Sequence, residues 1–588
     1  MSPRDRQPRG QGIRGARAPA ERHREQSKTA VTSQKGYPVP HRIRPWQPGL
    51  ALWDWLVLAI AGPVALPLGA VALSAWVGSL DVWQHLGETV LGRYVFNSCV
   101  LTAGVMAGTA LMGAGTAWLT VACRFPGRRW FEWALLLPMA IPAYLLAYVY
   151  TDLLDFYGPV QQTLRSLTGW GFGDYWFPPV RSLPGAIAML ALVLYPYVYL
   201  LCRVAFLEQA AATLEASRTL GRSPWQSFWQ VALPLTRPAL TAALALVAME
   251  TLSDFGTVQY FGVDTFTTGI YRTWFGMGDR AASSQLALVL LGGVAALMLL
   301  ERRSRGRAQY YSRPSFQEPA GYSLGGWRAA AAAIACALPI ALGFLVPVAC
   351  LISLTIQEPQ TLTDERFWSF ANHSAILSTV AAAIAVVLAL LLAYGVRLRG
   401  NWRVRLGRQI ASLGYAIPGS VVAVGVSVAL GALDQLLSRL GLISDGLLLS
   451  GTVAALVFAY LVRFLAVAIG TVVASLDKIA PSLDDAARSL GKTPLATLAQ
   501  VHMPIAGGGL LTAALLVFVD VMKELPATLI MRPFNFDTLA VRVYNLASDE
   551  RLAEAAGPAL AIAVVGLGPV IVLSWQIARS RRQRHPIP

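Results

Sequence analysis

Four carboxylates stand inside long apolar runs, where a charge defaults to function because desolvating it is expensive. They are Glu250 and Asp254 in one run and Asp520 and Glu524 in another. Glu250 falls about 12 residues into its run, about 18 Å at 1.5 Å per residue, and Asp254 follows one turn later on the same face. Asp520 and Glu524 repeat that spacing. Four such groups around a central passage suit a hard cation, which prefers oxygen ligands. Another use is open to them as well: Lys523 can pair with Asp520 at i+3, and a carboxylate can cap a broken helix. Arg463, also in an apolar run, reads as a structural partner for one of these acids rather than as a ligand. The five cysteines (Cys99, Cys123, Cys202, Cys336 and Cys350) have no CxxC or His-spaced pattern. Neither a zinc site nor a disulfide framework is expected, and no metal ligand set is fixed.

The elements that must position these acids come in two copies. Glu215–Pro234 (EASRTLGRSPWQSFWQVALP) aligns with Asp485–Pro504 (DAARSLGKTPLATLAQVHMP) at an offset of 270. Ala216/Ala486, Arg218/Arg488, Leu220/Leu490, Gly221/Gly491, Pro224/Pro494 and Pro234/Pro504 are identical. The same offset carries Glu250 onto Asp520, Asp254 onto Glu524, Thr268 onto Thr538 and Arg272 onto Arg542. Residues from Glu215 to Leu220 and from Asp485 to Leu490 are good helix formers. Gly221 and Gly491 stop the turn because glycine tolerates positive φ, and Pro224 and Pro494 suit the first turn of a second short helix. Each copy is therefore predicted to form a helix–turn–helix knob. Trp225, Phe228 and Trp229, with Leu495 and Leu498 in the second copy, give the second short helix a greasy face, read as packing on the protein's own helices or at the membrane interface. An Ala-Ile-Pro triplet recurs at Pro142 and Pro418, where proline would bend two further apolar runs into a gate or cavity wall. Ser489–Thr493 (SLGKT) imitates the end of a P-loop, but Ala486 stands where the first glycine is needed and no strand precedes it, so nucleotide binding is not expected.

Composition sets the medium in which these elements fold. Of 588 residues 55% are hydrophobic and only 14% charged, against about 25% charged in soluble chains. Twelve apolar runs are long enough to span a bilayer: Leu56–Val77, Ser98–Ala122, Trp133–Tyr150, Leu183–Phe206, Pro238–Phe261, Gln285–Leu300, Ala329–Ile352, Ile376–Val396, Ile410–Leu430, Leu449–Val473, Gly509–Leu525 and Ala556–Ile577. The formal charge of +16 sits in short loops and tails, so it reports topology rather than a nucleic-acid partner. Arginines cluster in alternate connections (Arg124, Arg128 and Arg129; Arg302 to Arg307; Arg397 to Arg408; Arg579 to Arg584), which places those loops, both knobs and both termini in the cytoplasm. Residues 1–49 hold eleven Lys/Arg within the first 44 positions and no apolar period; they read as a disordered basic tail rather than a signal peptide. The expected fold is an all-α polytopic membrane protein of about twelve spans in two pseudo-symmetric halves. Residues 50–300 form the first half with its loop at 208–236, residues 301–328 a linker, residues 329–578 the second half with its loop at 476–507, and residues 579–588 a tail.

The two knobs resemble the EAA loops of ABC-importer permeases, and their double copy resembles the fused permease of ferric-iron importers. The similarity takes in Glu250–Tyr260 (ETLSDFGTVQY), Phe266–Trp274 (FTTGIYRTW) and Lys523–Arg532 (KELPATLIMR). Ser217 in place of the second Ala and Asp485 in place of Glu are departures from the motif. The resemblance implies a permease of the bacterial inner membrane with no enzymatic site and no cofactor, lying in lipid. Glu215, Ala216 and Gly221, with Asp485, Ala486 and Gly491, would dock two copies of a cytoplasmic ATPase, and a periplasmic or lipid-anchored binding protein would deliver the cargo. Glu250, Asp254, Asp520, Glu524, Pro142 and Pro418 are the candidate pathway residues. Permeases for thiamine, polyamine, sulfate or organophosphonate share the motif, and a twelve-span secondary transporter is the alternative of another class.

Overall fold

A chain that crosses hydrocarbon must satisfy its own backbone hydrogen bonds, and helices do so within one segment. The computed structural model describes residues 51–582 except 78–79, 172, 209–216, 218, 306–321 and 443–447. Among the described residues eleven helices are long and apolar enough to span, and a twelfth crossing is a helix pair bent by 90° between Arg128–Ala140 and Ala143–Thr168. In order the spans are Trp53–Val77, Trp83–Ala122, the bent pair, Leu183–Leu207, Trp225–Ser253, Arg280–Glu301, Gly326–Gln357, Glu365–Leu398, Gly419–Arg439, Val453–Leu476, Pro494–Met522 and Leu552–Val572. Apolar span side chains such as Leu73, Leu111, Ile334 and Ile571 are exposed, as lipid-facing positions should be.

Twelve crossings match the expected number; several helices extend beyond the expected runs, and in four spans the backbone breaks. Span three stops in a 3₁₀ turn, Leu137–Ala140, and restarts after Pro142. In the second half the run expected from Ile410 is really the end of an amphipathic helix, Trp402–Ala411; a 3₁₀ turn at Gly414–Ala416 follows and span nine begins after Pro418. Both prolines thus end one helix and start another, because each lacks the N–H that a continuous helix would need. Spans five and eleven end at Ser253 and Met522, and short helices Gly256–Tyr260 and Pro526–Met531 follow each break.

The halves are interleaved. Span one packs on span nine, on helix Trp402–Ala411 and on span six, whereas span seven packs on span twelve and on the broken third span. Small residues permit the first approach: Gly407 meets Val57 and Gly425 meets Pro67. A two-stranded parallel sheet, β1 (Cys123–Arg124) and β2 (Tyr322–Ser323), ties the segment before span seven to the end of span two. At the end opposite the arginine-rich loops the halves match closely. Asn97 donates to the Asp264 carbonyl at 2.8 Å as His373 meets the Asp537 carbonyl at 3.2 Å, and Thr265 and Thr538 cap the helices that follow. The structural offset there is 273, not 270, so Thr268/Thr538 and Arg272/Arg542 are not equivalent pairs. Asp434, near the end of span nine, is buried, and its carboxylate accepts from the Leu449 and Ser450 backbone N–H groups at 2.9 Å each.

Gly419, the first residue of span nine, is a point of forced contact: a methyl there would meet the Arg463 guanidinium and the Glu524 carboxylate. Gly419→Ala is expected to destabilise the protein by about 1–3 kcal/mol, the usual cost of overpacking a filled site. Gly292→Ala, which meets nothing within 4 Å, serves as control. Thermal unfolding in detergent checks it: equal midpoints for the two variants would refute the contact.

Candidate functional site

Four helix breaks converge on one place. Around a cavity of about 130 Å³ stand Pro142 and Tyr144 from the third span, Tyr197 from the fourth, Glu250 and Asp254, Tyr415 and Arg463, and Asp520, Lys523 and Glu524. A larger cavity of about 890 Å³ shares Met139, Tyr197, Tyr415, Asp520 and Lys523 with the first and runs to Arg405 and Arg408 at the arginine-rich end. All four sequence-selected carboxylates therefore come together, and Pro142 lines the cavity with them. Pro418 does not line it; its role is the helix start behind Gly419.

The four acids do not form a uniform ring; two of them cap broken helices, the second use that the sequence left open for them. Asp254 caps helix Gly256–Tyr260, accepting from the backbone N–H groups of Thr257 and Val258 at 3.1 Å and from the Thr257 hydroxyl at 3.0 Å. Glu524 does the same for Pro526–Met531, accepting from Ala527 N at 2.8 Å, Thr528 N at 2.9 Å and Thr528 Oγ1 at 2.6 Å. Each carboxylate fills orphan donors at the positive end of a helix. Arg463 adds a 2.9 Å ion pair to Glu524, and Lys523 a 2.9 Å pair to Asp520. Glu250 is left beside Tyr415 and Tyr197, which line the same cavity. Among the described residues no three His, Cys, Asp or Glu side chains are grouped to hold a metal ion. The two tyrosines are the functional candidates that sequence reasoning missed: neither recurs at the repeat offset, and only the break before Pro418 brings Tyr415 beside Glu250.

Among the described residues the knobs contribute nothing to the lining of either cavity. Glu215 and Ala216 lie outside the described residues, but the turn after them is clear. Gly221 and Gly491 both have φ of +75°, and the closing bonds are the same: Arg222 N to Ser217 O at 3.2 Å and Lys492 N to Ala487 O at 3.0 Å. This is the six-to-one closure of a Schellman motif. In the second knob, helix Pro481–Ser489, Asp485 is partly exposed and pairs with Arg488 at 3.2 Å, and Ala486 is exposed. Leu220 and Leu490 stand at the tips, 78% and 77% exposed. The greasy face divides: Phe228 and Leu498 are buried as expected, whereas Trp225, Trp229 and Leu495 are exposed. Thr493 of the P-loop imitation spends its hydroxyl capping the next helix through Ala496 N at 3.2 Å.

The profile of one protein family, described as binding-protein-dependent transport system inner membrane component, matches residues 102–307 and again 385–583. The chain belongs to this family. It is 26% identical to the Fe(3+)-transport system permease protein FbpB 2 of Haemophilus influenzae over 88% of its own length and 97% of that protein's. It is 24% identical to the ferric transport system permease protein FbpB of Actinobacillus pleuropneumoniae over 85% of its length and 73% of the relative's. The molybdenum transport system permease protein ModB of Escherichia coli is 28% identical, but covers only 33% of this chain while 85% of ModB is used.

In this permease the second knob is fastened by a network that sequence reading did not single out. Arg397, at the end of span eight, donates twice to Asp484 at 2.9 and 2.7 Å and also reaches the Leu476 and Ile479 carbonyls. Asp484 takes a third contact, 2.6 Å, from His502, which is fully buried. The carboxylate beside the motif's Asp485, not Asp485 itself, anchors the knob to the membrane helices.

Arg463 balances Glu524 in a buried setting, so Arg463→Met should leave a carboxylate uncompensated at a cost of about 3–5 kcal/mol. The double variant Arg463→Met, Glu524→Gln should recover part of that loss, because the neutral amide can still accept from the helix end. Monodisperse yield after mild heating in detergent reads both. A double variant no better than the single one would refute the pairing.

Proposed function

We propose that the permease carries ferric iron through the bacterial cytoplasmic membrane as the membrane-embedded part of an ATP-driven importer. The observation that carries the iron assignment is extent. The ferric relatives align across both halves, whereas the molybdenum permease aligns with about one half's length. Charge supports it: the small cavity is lined by four carboxylates against two cations, Arg463 and Lys523, a balance that favours a cation over an oxyanion.

In this reading two ATPase copies sit under the knobs, one engaging Glu215, Ala216 and Gly221 and the other Asp485, Ala486 and Gly491, with the tips at Leu220 and Leu490 as apolar anchors. A periplasmic or lipid-anchored binding protein releases the ion at the opposite end, and both termini are cytoplasmic. The two halves correspond to 50–300 and 329–578. Glu250 and the Asp520–Lys523 pair line the pathway, with Tyr197 and Tyr415 supplying hard oxygen at the neck between the two cavities. Asp254 and Glu524 act on passage indirectly, by holding the helix breaks that form the cavity. Pro142 and Pro418 set the positions of the breaks in spans three and nine. Chemistry resides in the ATPase; this chain offers weak, successive contacts to the ion.

Gly491→Pro should leave an inserted protein that neither transports nor stimulates ATP hydrolysis, since proline cannot reach φ of +75°. Gly491→Asn, which tolerates the left-handed region, should retain most activity. Normal transport by the proline variant would remove the coupling role.

Glu250→Gln is expected to lower ferric uptake by about tenfold or more while leaving assembly with the ATPase and its carrier-stimulated hydrolysis intact. Radiolabelled iron uptake into reconstituted vesicles, with sulfate and molybdate as competing cargo, measures it. Uptake of an oxyanion and not of iron by the unmodified protein would overturn the cargo assignment alone.

A further inference from the structure

The first knob is seated by a residue that comes from the linker. Tyr322 lies in β2, paired with Cys123 of β1, and the Leu324 N–H continues the contact by donating to the Arg124 carbonyl at 3.0 Å. From there the Tyr322 hydroxyl donates to Ser227 Oγ at 2.9 Å, and Ser227 Oγ lies 2.7 Å from Ser217 Oγ. Ser217 belongs to the knob's first helix, four residues before Gly221, and Ser227 to its second; both serines are buried. A chain of three hydroxyls therefore runs from the linker into the knob. The tyrosine ring also meets Trp118 of span two at 6.5 Å, and Trp118 packs on Phe206 of span four at 5.6 Å and on Phe228 of the knob at 5.5 Å.

The second knob is held by different chemistry. Ala487 stands where the first knob has Ser217, and Thr497 where it has Ser227. Its fastening is the Asp484, Arg397 and His502 network; at the Asp484 and His502 positions the first knob has Leu214 and Ala232. Among the described residues the first knob shows no ion pair, and the contacts that seat it are the linker hydroxyl and the aromatic packing around it.

We propose that Tyr322 is a positioning residue for energy coupling: the linker strand seats the first knob against spans two and four, and the Tyr322–Ser227–Ser217 chain passes the knob's displacement to the first half. This rests on reading the knobs as ATPase seats. The linker is then a working part of the first half, whereas the second knob has no need of it.

The complete complex, reconstituted with its ATPase and binding protein in vesicles, gives the test through iron transported per ATP hydrolysed. Tyr322→Phe and Ser227→Ala should each lower that ratio by about fivefold, the scale set by one buried hydroxyl contact unmade, with the amount of assembled complex unchanged. The double variant should be no worse than either single one, because both break the same chain. Ser227→Thr should restore near-normal coupling, since Thr497 already occupies the matching buried position. An unchanged ratio in Tyr322→Phe, additive losses in the double variant, or a loss of assembled complex that accounts for all lost transport would each overturn the proposal. Gly491→Pro, run in parallel, separates the two readings: if it uncouples while Tyr322→Phe does not, this inference alone fails, and if it has no effect the ATPase assignment itself fails.

Discussion

Backbone that breaks within the hydrocarbon must have its freed N–H groups satisfied by the protein, because lipid offers no partner. The arrangement around the central cavity follows from that constraint. Spans five and eleven both end at the cavity, and in each case a carboxylate at the break, Asp254 or Glu524, fills the first N–H groups of the next short helix. The negative charge is stabilised by the helix end it caps, and at Glu524 by Arg463 as well. These acids make an irregular, cavity-forming backbone tolerable, and a cavity there is a precondition for passage.

With two of the acids committed to the scaffold, the groups left facing the cavity are less symmetric than the repeat suggests. Glu250 faces a tyrosine pair, whereas its counterpart Asp520 is held by Lys523. The cavity combines carboxylate, phenol and ammonium within a small volume, and among the described residues these groups form no closed coordination sphere. Weak contacts of this kind suit a conduit, since a site that bound its cargo tightly would also retain it.

Asymmetry extends to the knobs. Their turns share the same positive φ at glycine and the same closing hydrogen bond. Their seats differ: an arginine, an aspartate and a histidine fasten the second, whereas serine hydroxyls, aromatic rings and a linker tyrosine fasten the first. Two ways of fixing the same geometry have arisen within one chain, a divergence open to duplicated halves that no longer have to be identical.

The sequence by itself determined what depends on near neighbours in the chain. Twelve apolar runs of bilayer length, the glycine-terminated knob helices, the pairing of Asp520 with Lys523 and the absence of a working P-loop can all be read from composition, period and local spacing. Tertiary structure alone decided matters that depend on distant partners. Whether Glu524 lines a passage or caps a helix turns on Thr528 nearby and on Arg463, 61 residues away. Tyr415 became part of the site only because a break before Pro418 moved the start of span nine, and hydropathy does not register a break inside an apolar stretch. The offset of 273 between the helix caps at Thr265 and Thr538 escaped the repeat alignment, since insertions in short loops shift register without changing composition. The knob seats were hidden for the same reason. An arginine at the end of one helix and an aspartate in another acquire a shared function only when the fold brings them within hydrogen-bonding distance.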